Sequence, residues 1–250
     1  MILSRPRPEL AERGGGLSPK ARARLSALFE ALEGFPAVFG QTFVLGRLVV
    51  AGSAAATAHN VLASEGLYRL GFAIPLLAVG FHIAWAFLFY QLFRVVDRTI
   101  NALALLVMLV GCAIQAVAAV IYLAPLVILQ GNFGGTLTIP QQQGLAMAFM
   151  KLSGAAFNAY LVFFGAWCVL AGYLILRCRF MPRIIGALLI PDGIGWMLYL
   201  WPPLATMLFP VIAVVSGAAE FSLLLWMLIF GVNNERWYQR AAAAGATTAT

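Results

Sequence analysis

At 250 residues, 62% of them hydrophobic and only 10% charged, the chain has too little polar surface to cover a soluble domain of its size. Its apolar residues fall in continuous runs and not in alternating segments of about ten, which favours an all-α, polytopic transmembrane helical bundle over a β-barrel. The formal net charge of +7 comes from arginines gathered between the apolar runs, so it marks topology and contact with anionic lipid, and a nucleic-acid partner is not expected.

Residues 1–24 form a basic segment holding Arg5, Arg7, Arg13, Lys20, Arg22 and Arg24. It lacks the apolar core of a signal peptide, so insertion without cleavage is expected. A helix rises about 1.5 Å per residue and the hydrocarbon core is about 30 Å thick, so roughly 20 apolar residues make one crossing. The bundle, residues 25–232, then reads as about six spans. The first, Ala31 to Val50, is the weakest, because it carries Glu33 near its start and Arg47 near its end; both are expected to snorkel toward headgroups.

The connection Ser53 to Leu67 is alanine-rich and predicts a short surface helix that Ser53 caps and Gly66 ends. It concentrates His59, Asn60 and Glu65, with Arg69 just beyond, as a candidate outer cap; Glu65 and Arg69 stand four apart, acid first, which suits an ion pair. Leu70 to Phe93 and Ile100 to Leu126 are the next spans, with Arg94 and Arg98 in the turn between them. Val127 to Gly154 passes through Gly131-Asn132-Phe133-Gly134-Gly135 to Pro140, an early helix residue, and predicts either a half-helix or hairpin on the membrane surface or an ordinary loop.

Ala155 to Leu176, Ile184 to Leu204 and Met207 to Gly231 complete the set, with Arg177, Arg179 and Arg183 in one turn. The tail, residues 233–250, adds Arg236 and Arg240, and its alanine-rich end, Ala241 to Thr250, is expected to be disordered. With six spans, 13 of the 16 lysines and arginines share one side, leaving only Arg47, Arg69 and Lys151 elsewhere. The positive-inside bias then predicts both termini in the cytoplasm, in the cytoplasmic (inner) membrane of a bacterium.

Glu220 stands in the middle of the 25-residue run Met207 to Gly231. An ionised carboxylate there would cost several kcal/mol in lipid, so it is expected to face other helices as a neutral acid, donating a hydrogen bond to a group on the third or fifth span. Counted from the arginine-rich ends, His82 and Glu220 lie about 17 Å deep and Asp192 about 12 Å. If the second, fifth and sixth spans adjoin, these three form a candidate buried polar cluster able to share a proton. Gly111, Gln115 and Ala119 line a comparable stripe on the third span, and Ala213, Ser216 and Gly217 line one with Glu220; small residues let helices approach so that buried polar groups bond across. Pro191, just before Asp192, is expected to kink its helix.

Cys112, Cys168 and Cys178 are scattered without metal or redox spacing and read as packing residues, so no metal and no cofactor are expected. A haem held by two histidines is not expected, because His59 is predicted to lie outside the bilayer. The chain lacks GxSxG, HExxH, Walker and dinucleotide motifs, so an enzyme is not expected. Trp85, Phe87, Phe89 and Tyr90 in the second span and Trp196, Tyr199 and Trp201 in the fifth read as interfacial or lipid-facing anchors, with a bound lipid, quinone or other lipophile as the alternative.

Four segments carry a resemblance: SAAATAHNVLASEGLYRLG, LFYQLFRVVDRTINALALL, VFFGAWCVLAGYLILRCRFMPRIIGALL and GAAEFSLLLWMLIFGV. Together they resemble a bacterial membrane family known as domain of unknown function 4386, over roughly Leu48 to Val232. Its strongest pieces are Phe163-Phe164-Gly165, Gly172-Tyr173-Leu174, Pro182-Arg183 with Gly186, and Gly217 with Glu220 and Trp226. The resemblance implies a multipass fold and supplies no reaction, and His82 and Asp192 depart from the apolar residues it leads one to expect. The first functional expectation is therefore a noncatalytic subunit or scaffold among other membrane subunits. A proton-coupled carrier or lipophile receptor built on the midplane acids, and an intramembrane enzyme acting on a lipid or quinone, are the alternatives.

Overall fold

The computed structural model describes residues 17–131 and 135–247. Arg5, Arg7 and Arg13 of the basic segment, residues 132–134 of the glycine-rich connection and the last three residues of the tail lie outside the described residues. The fold is all helical: α1 (Pro19–Val38), α2 (Leu45–Leu48), α3 (Ala54–Ala63), α4 (Glu65–Phe93), α5 (Arg98–Gln130), α6 (Ile139–Cys178), α7 (Arg183–Met197), α8 (Pro202–Ile229) and α9 (Asn234–Thr247). Five of these, α4 to α8, with α7 continued by a 3₁₀ turn to Leu200, are long and apolar enough to cross a membrane, and the chain is a multi-pass membrane protein.

A sixth rod precedes them. Ser18 Oγ accepts from the Ala21 amide at 3.2 Å and Pro19 opens α1, a pairing that favours a helix start. The segment then continues through a π-helical stretch, Phe39–Val44, into α2. Its first turns join the arginine-rich end, where Arg24 donates to Ile229 O at 2.8 Å; its far end meets α3, where Asn60 Nδ2 donates to Leu48 O at 3.1 Å. It therefore traverses the bundle, starting twelve residues earlier than the predicted Ala31.

α6 runs unbroken for 40 residues, roughly 60 Å at the standard rise. The stretch near Pro140, expected as a surface half-helix or hairpin or as an ordinary loop, is instead the first turn of this helix, closed by a capping box in which the Gln141 side chain accepts from the Thr138 amide at 2.8 Å. α6 and α7 pack antiparallel with their backbones in contact. A Cβ on Gly172 would lie 2.7 Å from Gly186 O, one on Gly186 would lie 2.6 Å from Gly172 O, and Gly165 and Gly193 face each other in the same way. The two pairs recur after seven residues on each helix, which keeps them on one seam.

Two apolar cores fill the interior. The larger, at the arginine-rich half, gathers Trp85, Phe89, Phe93 and Trp167; the smaller, at the opposite half, gathers Val44, Leu48, Tyr68, Tyr122 and Leu126. Trp85 and Phe89 are thus 2% and 1% exposed and are core residues, against the anchor role expected of them; Phe87 and Trp201 do face outward. The tail also differs from expectation. α9 is helical and seats on the arginine-rich end, where the buried Trp237 donates from Nε1 to Leu92 O at 2.8 Å.

Candidate functional site

Polar residues collect where the two cores meet. His82 on α4 is fully buried, and its ring lies in an aromatic box formed by Trp85 (5.1 Å), Tyr160 (5.8 Å) and Phe164 (6.4 Å). Its Nδ1 stands 3.3 Å from Glu33 Oε1 and 3.2 Å from Gln115 Oε1. Gln115 Nε2 in turn donates to Glu33 Oε1 at 3.1 Å. With the amide N–H given to the carboxylate its oxygen faces the ring, an arrangement that a proton on Nδ1 satisfies. Glu33, 8% exposed, is held by both neighbours.

This corrects the snorkelling role expected of Glu33. The physical reason is the early start of α1: with the helix beginning at Pro19, Ser26, Glu30 and Glu33 share the face that packs on α4, where Ser26 Oγ meets Trp85 O at 3.5 Å. The spacing of four and three between these residues was a readable signal. Glu30 went unnoticed for the same reason. It lies close enough to both Glu33 and Glu220 for their charges to interact.

The direct cluster of His82, Asp192 and Glu220 expected from their depths does not form. α1 lies between α4 and α8, which separates the imidazole from Glu220, and α7, which carries Asp192, packs on α6 and α8 instead of on α4. Asp192, fully buried on α7, accepts from Ser216 Oγ at 2.5 Å across the α7–α8 contact, with the Cys168 thiol beside it. Glu220, on α8, is partly buried and accepts from Trp196 Nε1 at 2.9 Å, so its partner is on the fifth predicted span but donates rather than accepts. The stripe on α8 is rotated from the predicted one, because Ile212, Ser216, Ala219 and Leu223 face inward and Ala213 faces out. Glu220 still lies within electrostatic reach of Asp192 and Glu33. The layer thus holds four of the nine acids of the chain, and among the described residues no lysine or arginine pairs with any of them.

Six buried side-chain polar atoms among the described residues lack a hydrogen-bond partner, and four of them belong here: Glu30 Oε2, His82 Nε2, Trp85 Nε1 and Asp192 Oδ2. Each such atom costs about 1–3 kcal/mol, so the layer is not a fully satisfied structural clasp. A cavity of about 20 Å³, room for about one water, opens beside Gln115 and is lined by Gly71, Ser153 and Tyr122, whose hydroxyl is another unpartnered atom. It extends the polar layer away from the arginine-rich end.

The predicted outer cap is a separate feature at that opposite end. Ser53 caps α3 by accepting from Ala56 N at 3.1 Å. Glu65 receives Arg69 Nε on one oxygen and Gln130 Nε2 on the other, both at 2.7 Å, which ties α4 to the end of α5. His59 is exposed and takes no part. The three cysteines are buried and free, and among the described residues no group of histidine, cysteine and acid side chains could hold a metal ion.

The sequence model of a family described as domain of unknown function matches residues 35–231. The match takes in His82, Gln115, Asp192 and Glu220 and stops short of Glu30 and Glu33. No curated protein and no solved structure matches the chain.

Proposed function

The chain belongs to the family of unknown function DUF4386, whose description names no reaction, and from the site itself we propose that it is a proton-handling membrane protein, best described as a proton-linked carrier. The observation that carries this reading is the buried Glu33 carboxylate within 3.3 Å of His82 Nδ1. When the imidazole carries protons on both nitrogens, transfer of the Nδ1 proton along that contact converts an ion pair into a neutral pair, and in an apolar interior this changes the local field strongly. Gln115 holds both partners at the transfer distance. Glu30, Glu220 and Asp192 extend the set of carboxyls toward α7 and α8, and the small cavity at Tyr122 offers a water-mediated approach from the opposite side. Ionisable groups placed inside membrane helices commonly form such relays.

In this reading the protein sits in a bacterial cytoplasmic membrane with its arginine-rich end inside. A noncatalytic subunit is the second reading, favoured by the apolar face of α8, where Met207, Val211 and Val214 are 71%, 62% and 74% exposed and could meet another membrane protein. The two are separated by pH-jump charge displacement on proteoliposomes adsorbed to a solid-supported membrane. Wild-type protein is expected to give a transient displacement that Glu33→Gln and His82→Gln remove while both variants keep their wild-type melting behaviour. The same displacement in wild type and in both variants would overturn the proposal.

A further inference from the structure

A second built feature lies at the arginine-rich end, far from the acids. A groove of about 610 Å³ is lined by Arg179 at the end of α6, Arg183 at the start of α7, and Arg236 and Arg240 on α9, with no acidic residue among its lining. Two of these guanidinium groups are held in place by backbone: Arg236 donates to Arg179 O at 3.2 Å and Arg240 to Val96 O at 3.4 Å. Among the described residues none of the four is paired with a carboxylate. The groove also receives the N-terminus of α7, a 15-residue helix whose N-cap is Pro182 and which has no side-chain cap. The Ile185 amide turns back to Pro182 O at 3.3 Å, so the Arg183 and Ile184 amides are the ones placed to serve a ligand, and the helix dipole adds positive potential at the same point.

Arg179 adds an independent sign. It adopts φ 61°, the left-handed region, as the residue that ends α6. Glycine is the favoured residue there, and a side chain costs roughly 1–2 kcal/mol. The arginine keeps its guanidinium at the groove despite that cost, and its carbonyl receives Arg236. We infer that this groove binds the phosphate of an anionic phospholipid head group, with the arginines gripping its oxygens and the α7 amides completing the site. Ile184, next to Arg183 in the first turn of α7 and 63% exposed, presents apolar surface outside the groove for the acyl chains, which favours lipid over a free phosphate anion.

The test uses the full chain in detergent micelles that contain phosphatidylglycerol and phosphatidylcholine in equal amounts, with native mass spectrometry counting the retained lipid. Wild-type protein retains phosphatidylglycerol preferentially. The preference falls about fivefold for each of Arg183→Gln and Arg236→Gln, the effect of about 1 kcal/mol per basic residue near a lipid charge. Arg177→Gln removes the same charge at the same end, but Arg177 lies over the Tyr173 ring at 4.8 Å and outside the groove, so it leaves the preference unchanged. An equal fall in Arg177→Gln would mean a diffuse surface field and would overturn the site. Arg179→Gly separates binding from folding: it should raise the melting temperature and still weaken retention, whereas a higher melting temperature with full retention would remove Arg179 from the site. In nanodiscs of phosphatidylcholine alone, pyrophosphate should not stabilise the protein as phosphatidylglycerol does; equal stabilisation would identify a free anion as the ligand and overturn the lipid assignment.

Discussion

Glu220 and Glu33 are both carboxyls at mid-depth in the bundle, yet their neighbours give them different work. The indole N–H of Trp196 is a donor only, so Glu220 accepts from it. Replacing Trp196 by Phe and Glu220 by Leu, singly and together, should give a coupling of about 0.6 to 1.7 kcal/mol, the range of interhelical hydrogen bonds in membrane proteins. Unfolding in mild detergent measures it, and strict additivity would mean that the bond contributes nothing. Glu33 has an imidazole beside it, with His82 Nδ1 3.3 Å from its Oε1. The sequence made Glu220 conspicuous because nothing charged surrounds it for 25 residues. It hid Glu33 because a weak hydrophobic stretch allowed the carboxylate to be assigned to the headgroup region. His82, Asp192 and Gln115 were legible as buried polar residues from depth and spacing alone, but their partners were not, since partner choice depends on which helix lies between which.

Among the elements, five of the predicted spans appear as helices because continuous apolar runs of this length have no other stable form in a bilayer. Their ends were less legible. α6 begins sixteen residues before the predicted Ala155, since polar residues such as Gln141, Gln142 and Gln143 are good helix formers once Pro140 and the Thr138 capping box start the helix. Disorder is expected of Ala241 to Thr250 because alanine-rich sequence carries no packing signal, yet α9 runs through Thr247; Trp237 fixes that helix by burying its ring and satisfying its N–H on α4. The glycines read as pieces of the family resemblance also divide by physical role. Gly172 and Gly186 sit where any side chain would meet a backbone carbonyl, while a Cβ at Gly217 would meet nothing within 4 Å. Gly172→Ala and Gly186→Ala should therefore each destabilise the α6–α7 seam by about 1–3 kcal/mol, and Gly217→Ala should fall within about 0.5 kcal/mol of wild type. A loss at Gly217 equal to that at Gly172 would show that the seam is not what sets their cost.

For the molecule as a whole, the arrangement is a layer of acids and one histidine set between two apolar cores, with an arginine-rich end to one side. Four carboxyls share the layer with a single imidazole, and several of their polar atoms have no partner. A structure built only for stability would gain by replacing such groups with apolar ones of similar volume, so their presence argues for use. The claim that follows is that carboxyls in this layer bind and release protons as the surrounding pH changes. Infrared difference spectroscopy of the membrane-reconstituted protein, between mildly acidic and mildly alkaline buffer, observes this directly. The account predicts a protonated-carboxyl stretching band that changes with pH in the wild-type protein and that loses a component in Glu33→Gln, Glu30→Gln or Glu220→Gln. A wild-type spectrum without such a band, or one that all three variants leave unchanged, would contradict it.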